Sequence, residues 1–119
     1  MELYFFDTYA FFETMEGNPK YSRFAQEKIV TSIINLAELS FNIRRDSNAE
    51  EVERTVKKYT PLLTEIKTED VIKATELKFN NRKLSLADSI GYSISQRIGA
   101  KFVTGDKEFR HMKNVEFLK

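Results

Sequence analysis

The chain has 119 residues, 41% of them hydrophobic, with ten Phe, five Tyr, 19 basic residues against 18 acidic ones, one His and no Cys. That length and apolar content suit one globular domain and argue against disorder, while a formal charge of +1 neither supports nor excludes nucleic acid. Without Cys there is no disulfide framework, thiolate zinc site or cysteine nucleophile, and a lone His111 disfavours His-rich metal sites and a Ser-His-Asp triad, so any metal would be held by oxygen, which points to Mg²⁺ or Mn²⁺.

The opening MELYFFDTYAFFE carries Glu2 and Asp7 and lacks a basic n-region, so it does not read as a secretory signal. No apolar run approaches membrane-spanning length, and a soluble, cytoplasmic protein without a membrane partner is expected. LYFF (3–6) predicts a first strand, followed by a helix from Thr8 to about Met15 that Gly17 and Pro19 interrupt. A short helix near 21–26 leads into KIVTS, a second strand ending at Ser32, which caps the helix IINLAELSFNIRR. Asn48 caps AEEVERTVKKY, which Pro61 prevents from continuing, and LLTEI (62–66) predicts a third strand. Thr68 is expected to cap EDVIKATELKFNN, and Ser85 to cap LADSIGYSISQRIG, with Gly99 as its stop. KFVT (101–104) is a fourth strand and NVEF (114–117) a fifth at an edge. With no repeat or linker, residues 1–119 make a single domain. Short apolar strands alternating with helices imply an α/β three-layer sandwich around a mostly parallel sheet of about four to five strands.

In such folds, sites lie outside the carboxyl ends of the strands. Asp7 ends LYFF, and Asp106 follows KFVT after Gly105, where burying a carboxylate is costly unless it is paired or coordinated. In the helix after Ser32, the apolar residues Ile33, Ile34, Leu36, Ala37, Phe41 and Ile43 cover a broad arc, and Glu38 falls just beyond one edge. In the helix after Ser85, Leu86, Ala87, Ile90, Ile94 and Ile98 form the buried stripe, with Asp88 on its flank beside Gly91 and Ser95. Each acid alone has an ordinary reading. Asp7 would cap a helix, Asp88 would complete a capping box with Ser85, Asp106 would cap a turn at KEF, and Glu38 would be a half-exposed surface acid. Four acids in one class of position favour a shared site.

The segments FFDTYAFFE, TSIINLAELSF, KLSLADSIGYSIS and KFVTGDKEF, in this order along nearly the whole chain, resemble those of a PIN domain, and more narrowly of the small VapC-type toxins. The resemblance implies a PIN-like fold, an acidic quartet at Asp7, Glu38, Asp88 and Asp106, and a supporting hydroxyl at Thr104. It further implies an Mg²⁺- or Mn²⁺-dependent ribonuclease, commonly inhibited by an antitoxin protein and often a homodimer. Tyr9 departs from the small polar residue frequent just after the family's first acidic position.

That role fits the residues. Crowded carboxylates repel, a divalent cation relieves the repulsion, and phosphodiester hydrolysis at such an ion needs no His, Cys or Lys nucleophile. Asp7 and Asp106 are expected as direct ligands and Asp88 as direct or through water, while Glu38 either positions a water or acts as a base. Lys20, Arg82, Lys83, Lys107 and Arg110 are candidate phosphate partners, with Lys83, Lys107 and Arg110 foremost among them. A receiver-like phosphoacceptor would need an acid after Ile66, where Lys67 stands, and a haloacid-dehalogenase-type phosphatase an Asp where Tyr9 stands. The remaining alternative is a non-catalytic PIN-like module for RNA binding or assembly. Tyr9, Phe11 and Phe12 cannot all face inward from one helix, so an apolar surface patch near the N-terminus is expected.

Overall fold

The computed structural model describes residues 2–119. Four strands, β1 (Leu3–Phe6), β2 (Lys28–Val30), β3 (Lys101–Thr104) and β4 (Val115–Phe117), form one sheet in the order β2-β1-β3-β4, with every pairing parallel. Five α-helices flank it: α1 (Thr8–Met15), α2 (Ile33–Asp46), α3 (Ala49–Tyr59), α4 (Thr68–Asn80) and α5 (Leu86–Ile98). Because strand side chains alternate, the central pair β1 and β3 feeds two cores. Phe6 and Val103 join Phe11, Tyr21, Phe24, Leu36, Leu39 and Tyr59 on one face. Phe5 and Phe102 join Ala74, Leu84, Ile90, Ile94 and Phe109 on the other. This is the expected sandwich.

Two expected elements differ. LLTEI is not a sheet strand. Residues 60–62 form a 3-10 turn, and only an isolated parallel bridge, Thr31 with Leu63, follows. The bridge uses Thr31 N to Leu62 O (3.0 Å) and Thr64 N to Thr31 O (2.8 Å), just beyond the end of β2. Thr68 does not cap α4 but is its first residue; the helix start is closed by Asp70, whose carboxylate accepts from Lys67 N at 2.8 Å and pairs with Arg97.

The helix faces also need correction. The inward face of α2 is Asn35, Leu36, Leu39 and Ile43, whereas Ile33, Ile34, Ala37 and Phe41 point outward. The helix is apolar on two sides, and the covered side is the one that meets the sheet. In α5, Leu86 is exposed, and burial extends to Ser89, Gly91, Ser93 and Ser95 because α2, α4 and the sheet all pack on it. The expected N-terminal patch is only partly at the surface. Phe11 is buried against Tyr59 (ring centroids 4.6 Å), and Tyr9 and Phe12 are half-buried against the same core.

Candidate active site

At the carboxyl ends of β1 and β3, a crevice of about 460 Å³ is lined by Asp7, Thr8, Tyr9, Phe12, Glu13, Glu38, Asn42, Asp88 and Asp106. All four acids singled out in the sequence therefore face one concavity. Asp7 is buried where β1 hands over to α1. One carboxylate oxygen caps the helix, accepting from Ala10 N at 2.8 Å, and the other accepts from the buried hydroxyl of Thr104. Thr104 in turn accepts from Asp106 N (3.0 Å), so the end of β3 is tied to both acids. Asp106 Oδ1 accepts from Glu108 N at 2.9 Å, which is the turn-capping role its position suggested. Capping and site membership coexist in these residues.

Asp88 is different. Ser85 Oγ accepts from Asp88 N at 3.0 Å, as a helix cap should, but Asp88 Oδ1 is buried with no hydrogen-bond partner. That buried oxygen is left for a ligand to satisfy, whatever the other oxygen of the carboxylate does. Burial, together with the charges of Glu38 and Asp106 and against the hydrogen bond with Ser85, pushes Asp88 up to about 6. Burial, with the Asp88 charge beside it, raises Asp7 well above the usual carboxylate range, although its bonds from Thr104 and Ala10 oppose this. Both shifts report crowded, desolvated negative charge.

Every polar group facing the crevice is an oxygen donor or an amide, which suits a hard divalent cation. However, no group of three or more Asp, Glu, His or Cys side chains among the described residues is gathered tightly enough to hold a metal ion. Mutual repulsion and the capping bonds of Asp7 and Asp106 both work against closer approach.

The basic candidates lie apart. Lys83, Lys107 and Arg110 are exposed and do not line the crevice; Arg110 sits over the Phe117 ring at 5.3 Å. Lys20 bonds the carbonyl of Lys119 (2.8 Å), and Arg82 lies over Phe79 at 5.9 Å. Two lining residues were not singled out in the sequence, Glu13 and Asn42. Each stands one helical turn beyond a recognised position, Tyr9 on α1 and Glu38 on α2, and that spacing was the available signal.

A family model described as PIN domain matches residues 4–115. Among solved structures, the fold is similar to VapC20 of Mycobacterium tuberculosis, described as a sarcin-ricin loop cleaving toxin, with a TM-score of 0.76 and 15% identity over 98% of this chain and 99% of that one. It is also similar to DNA-bound VapBC from Salmonella typhimurium (TM-score 0.74, 17% identity, 99% and 98% covered). A third similar structure is VapBC2 from Rickettsia felis bound to a promoter DNA fragment (0.73, 19%, 98% and 97%). No curated protein gives a significant match. At such identities the structures speak for the fold, and the family match carries the assignment: the chain belongs to the PIN domain family.

Proposed function

We propose that the chain is a divalent-metal-dependent endoribonuclease and the toxin of a type II toxin–antitoxin pair. The observation that carries this reading is the convergence of Asp7, Glu38, Asp88 and Asp106 on one crevice, with a buried Asp88 oxygen left unpaired. Asp7, Asp88 and Asp106 would hold Mg²⁺ or Mn²⁺, directly or through water. A bound ion would supply charge neutralisation at the phosphodiester and acidify a water. Thr104 fixes Asp7 by donating to its second oxygen. Glu38, half-buried in the crevice, orients the attacking water or takes its proton. Lys83, Lys107 and Arg110, exposed outside the crevice, would meet the phosphates of a longer RNA. An antitoxin partner and a homodimer complete the reading. The toxin–antitoxin complexes among the similar structures support the first, and the outward apolar faces support the second.

The looseness of the acid cluster favours one rival, a non-catalytic PIN-like module for RNA binding or assembly. Purified chain incubated with total RNA, followed by mapping of the new ends, separates the two. Discrete cleavage that needs Mg²⁺ or Mn²⁺, stops with chelator and disappears in Asp7→Asn is expected. RNA binding without new ends would favour the rival.

A further inference from the structure

Gly17 and Gly99 have positive φ (76° and 71°), with open space where a Cβ would stand. Gly105 is the opposite case. Its backbone makes no left-handed demand, yet a Cβ there would lie 2.1 Å from Cε1, 2.5 Å from Cζ and 2.7 Å from Cδ1 of Tyr9. The ring therefore sits directly on the Cα of Gly105, and a residue with any side chain would have to displace it.

The ring is held in that place from behind. Tyr9 packs half-buried against the first core, and its hydroxyl lies beside Glu13, one turn along α1. Glu13 is itself anchored by Asn18, whose Nδ2 donates to it at 2.8 Å. On the other side, Gly105 is the middle of three residues that serve two acids. Thr104 donates to Asp7 and accepts from Asp106 N, and Asp106 faces the crevice.

We propose that Tyr9 is a positioning residue: seated on Gly105, its ring sets where the Thr104–Asp106 turn stands and so fixes Asp106 relative to Asp7. A large ring at 9 and a glycine at 105 form one interlocking pair, in which neither tolerates change of the other alone. The inference rests on the reading that these acids hold a divalent cation.

The test is Mn²⁺ binding to the purified full chain, read from the electron paramagnetic resonance of free Mn²⁺, with circular dichroism melts alongside. Tyr9→Phe keeps the ring and is expected to bind like wild type. Tyr9→Ala is expected to bind about tenfold more weakly, the scale on which supporting residues alter metal affinity. If Tyr9→Ala does not fold, Tyr9→Leu is read in the same way. In an Asp106→Asn background the same change at 9 should leave affinity unaltered, because the residue it positions is gone. Gly105→Ala should lower the melting temperature, and adding Tyr9→Ala should restore it by making room. Tyr9→Ala binding as tightly as wild type, or losing equally with and without Asp106, would overturn the proposal while sparing the metal reading. Wild type that binds no Mn²⁺ would overturn both.

Discussion

Asp7 illustrates how one residue can cap a helix and line a crevice: its two oxygens take separate bonds, from Ala10 N and from Thr104. Removing the second donor leaves a buried carboxylate oxygen unsatisfied, which typically costs about 1–3 kcal/mol. Thr104→Val should therefore lower stability in denaturant titrations by that amount, and Thr104→Ser should not. The raised acids also set a pH dependence. An Asp whose folded pKa lies near 6 against about 3.9 unfolded stabilises the fold fully below pH ~4 and loses that contribution as pH rises through 6. Metal-free protein in chelator is thus expected to be less stable at pH 7 than at pH 4.5, by on the order of 2 kcal/mol from Asp88 alone, with Asp7 adding in the same direction. Asp88→Asn should flatten that slope. An unchanged slope in the variant would remove Asp88 as its source. Asp70 works oppositely and in a lower window. Burial would raise it, but the bonds from Arg97 and Lys67 N win and hold it below the usual range, so its contribution fades only as pH falls further.

The elements converge on the crevice because α5 lies close against both β1 and α2, and Gly91 permits that approach. A Cβ there would meet Phe5 Cε1 at 2.8 Å and Asn35 Oδ1 at 3.2 Å. Alanine gains roughly 1 kcal/mol of helix propensity over glycine, yet overpacking a full core costs about 1–3 kcal/mol. Gly91→Ala is expected to be net destabilising in thermal melts; a more stable variant would show that α5 can shift freely. These contacts also explain what could be seen in the sequence. The strands ending at Phe6, just before Asp7, and at Thr104 were legible because each is a short apolar run with its own local stop. Asp88 was legible from its place on the flank of a stripe. LLTEI has the same apolar character, but strand formation needs a partner, and past β2 only Thr31 is available. The inward face of α2 was misread because two apolar faces compete. The winner runs through Leu39 and has at its edge Asn35, which is buried with its Oδ1 accepting from Ser32 Oγ at 2.7 Å. Glu13 and Asn42 join the crevice only through tertiary approach.

At the scale of the molecule, the sheet is covered on both faces, yet several large apolar side chains remain outside. Phe41 on α2 is 66% exposed, and Ile72 and Phe79 on α4 are 67% and 72% exposed, with Leu86 exposed at the start of α5. The packed faces of α2 serve one core and those of α4 and α5 the other, so each helix leaves its own apolar face uncovered. Monomeric proteins seldom leave large apolar patches in water, and covering them with a second copy would remove that cost without altering either core. Because Phe41 and Phe79 contribute little to the monomer's own packing, Phe41→Glu and Phe79→Glu should leave the melting of the isolated fold nearly unchanged, within about 0.5 kcal/mol. If the proposed dimer forms through these faces, each should shift it towards monomer in light scattering over a dilution series, since a charge buried in an apolar interface has no partner there. Wild type that scatters as a monomer at the highest concentration would remove the dimer, and variants that lose their fold would show that these side chains serve the core instead.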